Sequence, residues 1–173
     1  ARLSETLEPA LPDHLDEQAE RLMRRLCDRE LTVATAESCT GGMLAALLTD
    51  IEGAGHAFER GFVAYTKASK RDLLGIDGEV LDRNDAVSEP VARAMAEGAL
   101  ARSDADFAFG VTGFAGPAGD GCEEGLVHMA LARRGGDTMH RVGHFGAAGR
   151  GPVRVKAMQA MLDMLDQALG ENK

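Results

Sequence analysis

Aromatic residues are scarce in this sequence. Its 173 residues include six Phe, one Tyr and no Trp, and 28 Asp and Glu outnumber 19 Lys and Arg, for a formal net charge of −9. Proteins that bind nucleic acids use basic surfaces to contact phosphates and aromatic rings to stack on bases. Because both are in short supply, we expect no nucleic-acid partner.

Long apolar runs and paired cysteines are also lacking. No segment has the roughly 20 consecutive apolar residues of a membrane-spanning helix, and no early stretch has the pattern of a secretory signal. The three cysteines, Cys27, Cys39 and Cys122, cannot all pair within one chain, and none has CxxC spacing. We therefore expect a cytoplasmic protein with reduced thiols and no membrane partner.

Helical and β-favouring segments alternate along the chain. The predicted helices cover residues 13–30, 43–48, 68–74, 88–102 and 150–169. The predicted strands are Leu31–Ala36, Phe58–Thr66, Phe107–Thr112, Leu126–Arg133 and Thr138–Phe145. Residues 77–87 are predicted to be irregular, and Gly135-Gly136 predicts an antiparallel hairpin between the last two strands.

This order of elements predicts an α/β fold. We expect a single three-layer α/β/α domain with a mixed, mostly parallel sheet of about five strands. The domain is expected to cover residues 13–169, between an N-terminal lead-in over residues 1–12 and a C-terminal tail over residues 170–173.

Candidate sites follow from the position of polar segments after strands, because sites in open α/β sheets form at the carboxyl ends of strands. The first segment, residues 37–42, has the sequence Glu-Ser-Cys-Thr-Gly-Gly and puts the Ser38 hydroxyl in a turn before a helix. N–H groups at a helix start suit a phosphate or a developing oxyanion. Ser and Thr also cap helices, however, and the segment matches neither a phosphate loop nor a GxSxG nucleophile turn. On spacing alone, a structural role is favoured.

The second segment contains Tyr65, Lys67, Ser69 and Lys70. A lysine can accept a proton only when its amine is neutral, which requires desolvation. Lys70 starts a predicted short helix with apolar neighbours, but a solvated surface lysine is the ordinary alternative.

The third segment, residues 112–121, is a glycine-rich loop whose amides could approach a ligand closely, or a plain surface loop. Arg150 and Arg154 open the last helix, where positive charge opposes the helix dipole and hints at an anionic partner. His140 and His144 face the same side of a predicted strand. Since no other ligand accompanies them at metal spacing, exposed histidines are favoured over a metal pair.

Together these segments resemble the CinA C-terminal domain family, whose enzymatic members are nicotinamide-nucleotide amidases. The resemblance covers about residues 13–169 and keeps the family's motif order. The matching stretches are Thr35–Gly42 (TAESCTGG), Phe58–Tyr65 (FERGFVAY), Lys70 with Leu74–Ile76, Ala86–Val91 (AVSEPV) and Thr112–Pro117 (TGFAGP).

The resemblance implies a three-layer α/β/α fold and deamidation of nicotinamide mononucleotide to nicotinic acid mononucleotide and ammonia, with no metal and no cofactor. Ser38 matches the nucleophile, Lys70 the general base and Tyr65 an assisting hydroxyl. The expected substrate is a pyridine mononucleotide whose phosphate contacts Arg150. The residues expected to bind this substrate are Glu37, Thr40, Gly41, Gly42, Thr112, Gly113, Gly116 and Arg150. We also expect the protein to form a homo-oligomer, and specifically a dimer.

Three departures from the family pattern lie in segments expected to contact substrate. Glu123-Glu124 runs directly into Gly125 where family amidases carry a longer segment with Lys-Pro-Val, Lys67 replaces a common Asn, and Gly149 replaces a common Asp. Two alternatives therefore stay open: a non-catalytic nucleotide-binding domain, and an amidase for another small carboxamide. A third interpretation makes the Cys39 thiol the nucleophile.

Overall fold

The structure, a computed structural model, describes residues 11–170. Within this range it contains six α-helices, one 3-10 turn and five strands. The helices are α1 (Asp13–Asp28), α2 (Met43–Thr49), α3 (Lys67–Leu74), α4 (Gly78–Arg83), α5 (Glu89–Ala101) and α6 (Arg150–Gly170). The strands are β1 (Val33–Glu37), β2 (Phe58–Val63), β3 (Phe107–Gly113), β4 (Leu126–Arg133) and β5 (Met139–His144).

The strands form one mixed sheet in the order β2-β1-β3-β4-β5. Strand β1 pairs in parallel with both of its neighbours, whereas β3, β4 and β5 pair antiparallel. The predicted α/β class, the mixed five-stranded sheet and the hairpin between β4 and β5 are therefore confirmed.

Helices cover both faces of the sheet, which gives the three layers. The larger core lies between the sheet and helices α1, α2 and α6, and it contains the three valines and two phenylalanines of β1, β3 and β4 that point to that face: Val33, Phe107, Phe109, Val111 and Val127. Helices α3, α4 and α5 pack on the opposite face.

Small residues on the α5 face let that helix approach the sheet closely. Ala92 and Ala96 of α5 pack against Ala130 and Ala132 of β4. A Cβ atom at Gly110 would lie 2.4 Å from the Ala92 carbonyl oxygen, so only glycine fits there at this helix–sheet spacing.

One prediction about local structure needs correction, and one short element was not predicted. Residues 77–87 were predicted to be irregular, but Asp77 caps α4 by accepting a hydrogen bond from the Glu79 N–H at 2.9 Å. The loop before β2 contains a 3-10 turn over Gly55–Ala57. Both elements are too short for a periodic pattern to stand out in sequence.

The predicted lead-in and tail fall almost wholly outside the described residues. Within residues 11–170, every helix is too short or too polar to cross a bilayer. The same part of the chain holds no cluster of three or more His, Cys, Asp or Glu side chains that could bind a metal ion.

Candidate active site

Ser38 is the first residue beyond the carboxyl end of β1. Its N–H donates to the Val111 carbonyl oxygen at 3.1 Å, which continues the pairing between β1 and β3 by one residue. Ala34 and Ala36 pack under α3–α5, so the alternation of a strand puts Ser38 on that face as well. The hydroxyl therefore sits at a sheet edge and is nearly buried, with 6% of the residue exposed.

Lys70 reaches the same place from helix α3. A reciprocal capping box between Thr66 and Ser69 starts this helix, and Gly75 in the left-handed conformation (φ 63°) ends it. Lys70 and Leu74, four residues apart, form the buried side of the helix. Lys70 is only 1% exposed, so of the two interpretations left open for this lysine the structure supports burial.

The Lys70 amine is shared between two oxygens. Its Nζ atom lies 3.3 Å from Ser38 Oγ and donates to the Tyr65 carbonyl oxygen at 3.0 Å. Burial lowers the pKa of the Lys70 amine from its usual value, and the nearby Cys39 side chain acts weakly in the opposite direction. A neutral amine so placed can receive the Ser38 proton on its lone pair while one of its N–H bonds is held by Tyr65.

Tyr65 contributes its main chain to this cluster, whereas its ring is 65% exposed. The side chain makes no hydrogen bond within residues 11–170. The assisting role of the hydroxyl stays a prediction from the resemblance.

Glu37 is completely buried, and its carboxylate binds the loop that follows Ser38. It accepts from the Thr40 hydroxyl at 2.6 Å and from the N–H groups of Gly42, Leu44 and Ala45 at 3.1, 3.1 and 2.8 Å. Both side chains that were expected to contact substrate here, Glu37 and Thr40, are thus engaged with each other and with the start of α2.

Fewer N–H groups of this loop remain free to bind a ligand than the sequence indicated. The Gly41 N–H donates to the Ser38 carbonyl oxygen, and the Met43 N–H to that of Thr40. The Thr40 N–H, in contrast, has no acceptor among the residues that the structure describes. Positive φ angles at Gly41 (63°) and Gly42 (95°) allow the chain to make this turn.

Arg154 holds the same loop from the opposite side. Its Nε donates to the Cys39 carbonyl oxygen at 2.8 Å, and its Nη2 would lie 3.5 Å from a Cβ at Gly41. The sequence pointed to Arg154 together with Arg150 as a hint of an anionic partner, but only Arg150 was assigned to the substrate.

The glycine loop after β3 lies against Arg150. A Cβ at Gly116 would be 2.7 Å from Arg150 Nη2, so a larger residue there would require the guanidinium to shift. Gly113 is needed for another reason, since a Cβ there would be 2.7 Å from Val127 Cγ2 in β4. The buried Thr112 donates its hydroxyl to the Ala86 carbonyl oxygen at 2.7 Å, which ties the segment before α5 to the site edge.

Arg150 and Arg154 make no ion pair within residues 11–170. They lie four residues apart on α6, one next to each glycine-containing loop. This is a local cluster of unpaired cations in a chain whose formal charge is −9.

Two other residues singled out in the sequence take no part in the contact between Ser38 and Lys70. Burial raises the pKa of the Cys39 thiol to about 12, so the thiol is protonated near neutrality and the thiolate interpretation is disfavoured. The Lys67 amine donates to the Leu81 carbonyl oxygen at 2.6 Å and does not compete with Lys70 for Ser38.

The prediction that His140 is an exposed strand histidine is wrong. Its side chain is 12% exposed and stacks on His128, with Nδ1 of His128 3.0 Å from Nε2 of His140. His128 pairs with Thr112 across strands β3 and β4, so the two rings lie beside the end of β3 at the candidate site. Only His144, which contacts Glu123 at 2.8 Å, matches the prediction.

The candidate site therefore consists of a nearly buried serine beside a desolvated lysine at a strand end, and comparisons with known proteins show which family the chain belongs to. The family model described as the CinA C-terminal domain matches residues 15–169. The chain therefore belongs to the CinA C-terminal domain family.

Curated relatives carry CinA names. A "CinA-like protein" of Anaeromyxobacter sp. is 44% identical over 89% of this chain and 38% of its own length. A "putative competence-damage inducible protein" of Symbiobacterium thermophilum is 54% identical over 65% of this chain and 27% of its own length. The chain thus spans about a third of the length of the curated relatives that it matches.

Solved structures have the same fold. The competence/damage inducible protein CihA from Agrobacterium tumefaciens is 43% identical with a TM-score of 0.88, covering 94% of this chain and 99% of that one. A CinA superfamily protein from Escherichia coli is 36% identical with a TM-score of 0.83, covering 89% and 90%.

Proposed function

We propose that this chain is an amidohydrolase that deamidates nicotinamide mononucleotide through an acyl-enzyme on Ser38. The observation that carries the proposal is the distance of 3.3 Å between Ser38 Oγ and the buried Lys70 amine. A serine hydroxyl is a weak nucleophile at neutral pH and needs a base beside it. Lys70 can be that base because burial lowers its pKa and increases the neutral fraction.

In the acylation step, Lys70 takes the Ser38 proton while Ser38 Oγ forms a bond to the carboxamide carbon. The carbonyl oxygen becomes an oxyanion, for which the unoccupied Thr40 N–H is the candidate donor in this loop. As the C–N bond breaks, Lys70 passes its proton to the departing nitrogen, which leaves as ammonia.

In the deacylation step, Lys70 removes a proton from water, and the hydroxide oxygen attacks the ester carbon. The bond to Ser38 Oγ breaks and Lys70 returns the proton to the serine, which leaves nicotinic acid mononucleotide. Its new carboxylic acid loses a proton to solvent, and every proton transfer to or from Ser38 passes through the one amine that contacts it.

The two unpaired arginines on α6 support a phosphorylated substrate. Arg150 adjoins Gly116 and Arg154 adjoins Gly41, so an anion between the two loops would meet both guanidinium groups. Arginine binds phosphate with directed, charge-assisted hydrogen bonds. This local cluster accommodates an anion even though the whole chain is acidic.

The decisive experiment incubates the purified chain with nicotinamide mononucleotide and measures ammonia together with the acid product. Ser38→Ala should lower turnover by about 10³-fold or more. Ser103→Ala is the matched control, because that hydroxyl bonds to the Ala99 carbonyl oxygen at the C-terminal end of α5. Unchanged turnover in Ser38→Ala would overturn the mechanism.

Substrate identity is tested separately with nicotinamide riboside, which lacks the phosphate. Arg150→Gln should raise KM for the nucleotide about 10- to 100-fold, the effect of losing a charged hydrogen bond, and should leave the riboside unaffected. Thermal stabilisation by the nucleotide without ammonia release would instead indicate a non-catalytic binding domain. Release of ammonia from other carboxamides alone would indicate a different amidase substrate.

A further inference from the structure

We infer that Glu37 is the positioning residue of the candidate active site: its buried carboxylate sets the geometry of the loop that presents Ser38. This inference rests on the proposed function for its kinetic readout. The observation behind it is the set of four hydrogen bonds that converge on the Glu37 carboxylate from Thr40, Gly42, Leu44 and Ala45.

All four partners are donors, so the Glu37 carboxylate acts only as an acceptor. This is the pattern of an ionised carboxylate, since a protonated one would place its own O–H against an N–H or O–H. The residue is 0% exposed, so water cannot replace a lost partner. Each bond is charge-assisted, which makes the cluster stronger than an equal number of neutral hydrogen bonds.

The location of these hydrogen bonds lets Glu37 determine the position of Ser38. The serine lies between β1, which is held in register by β3, and the turn that Glu37 closes on its other side. Residues 40–45 can reach the carboxylate only if the chain reverses at Gly41 and Gly42, whose φ angles are positive. Ser38 is thus fixed at both ends, with its hydroxyl oxygen 3.3 Å from the Lys70 amine.

The same bonds change what the start of α2 can bind. The N–H groups of Leu44 and Ala45 in its first turn, and that of Gly42 before it, are already bound to Glu37. An external phosphate would have to displace a buried carboxylate. Substrate anions are therefore directed away from α2, toward Arg150 and Arg154 on α6.

The test compares Glu37→Gln with Glu37→Asp. Gln keeps the length but turns an amide NH2 toward N–H donors, whereas Asp keeps the charge and is one methylene shorter. We expect Glu37→Gln to lower kcat about 10- to 100-fold with KM within about threefold, and Glu37→Asp to recover part of the loss. The pH profile of kcat should be unchanged in shape, because the base is still Lys70.

A second readout needs no substrate: the rate at which a fluorophosphonate probe labels Ser38. The rate should fall in Glu37→Gln in parallel with kcat. Wild-type rates of labelling and turnover in a folded Glu37→Gln variant would overturn the positioning role. Labelling of wild-type Ser38 with no ammonia release would contradict the proposed substrate instead, and the labelling rates of the variants would still decide the role of Glu37.

If Glu37→Gln does not fold, two variants of Thr40 are compared instead. Thr40→Val removes the hydroxyl that donates to Glu37, and Thr40→Ser retains it. Slower labelling in Thr40→Val that Thr40→Ser restores at least in part supports the inference, and equal labelling in both overturns it.

Discussion

The Nζ atom of Lys70 lies 3.3 Å from the Oγ atom of Ser38, although 32 positions of sequence separate the two residues. They are brought together because β1 ends at the same sheet edge over which α3 starts. The lysine is 1% exposed, and the Tyr65 carbonyl oxygen fixes its amine. The chemistry that follows depends on the protonation of this one amine.

The rate of the proposed reaction should increase with pH. Lys70 acts as a base only when neutral, and burial lowers the pKa of its amine from the usual value. The apparent pKa on the rising limb of kcat/KM should therefore lie below the roughly 10.4 of a free lysine. A pH series of ammonia release measures it. An apparent pKa at or above that of free lysine would contradict the assignment of Lys70 as the base.

Lys70→Met should abolish turnover and stabilise the fold at neutral pH. Because the folded-state pKa of Lys70 is lowered, the unfolded chain binds more protons below about pH 10, and the wild type is destabilised there. The gain in melting temperature should be largest near pH 7 and shrink toward pH 10. Lys67→Met is the control, since the Lys67 amine is exposed and bonds to the Leu81 carbonyl oxygen. A lower melting temperature for Lys70→Met at pH 7 would refute this.

Cys39→Ser should retain turnover within about threefold of wild type. The Cys39 thiol is buried, and its pKa is raised to about 12, so little thiolate exists near neutrality. Iodoacetamide should consequently inactivate the wild type slowly. Loss of turnover in Cys39→Ser comparable to that in Ser38→Ala would reopen the thiol mechanism. Cys39→Ala distinguishes that result from a packing defect.

Acid should destabilise the fold through the histidine pair. Burial lowers the pKa values of His128 and His140. The charges of His140 and then His144 lower the pKa of His128 further, Arg93 lowers that of His140, and Glu89 opposes the shift at both. The unfolded chain therefore takes up protons first, and stability should fall as pH decreases through about 6.5.

Urea unfolding between pH 5 and 8 measures the effect of the histidine pair. His140→Gln should give a shallower decrease in the free energy of unfolding toward acid, whereas His56→Gln, at an exposed position, controls for the lost histidine. Equal slopes in wild type and His140→Gln would contradict a contribution from the pair.

Thr35→Val should stabilise the protein. The Thr35 hydroxyl is buried and has no hydrogen-bond partner among residues 11–170, so it carries a desolvation cost that a methyl group removes. A gain of about 1 kcal/mol corresponds to about 2–4 °C in melting temperature for a chain of this size. Thr112→Val is the matched control and should destabilise, since its buried hydroxyl bonds to the Ala86 carbonyl oxygen. A decrease in melting temperature for Thr35→Val would contradict this assignment.

Local pattern was enough for most of the fold but not for the short elements. The five strands and the Gly135-Gly136 hairpin follow from side-chain alternation and turn chemistry, which act over neighbouring residues. Helix α4, with six residues, spans fewer than two turns and leaves no clear period. The stacking of His128 on His140 depends on the register of β4 with β5, a property of two strands together.

The sequence by itself determined the α/β class and most of the order of the elements, and its resemblance to the CinA C-terminal domain family pointed to Ser38 and Lys70 as the candidate reacting groups. The scarcity of aromatic and basic residues already argued against a nucleic-acid partner. Only the tertiary structure decided that Lys70 is desolvated beside Ser38, and that Glu37 and Arg154 form hydrogen bonds to the loop after Ser38. Burial and hydrogen-bond partners are set by residues distant in the chain, so they cannot be predicted from the local pattern of a single sequence.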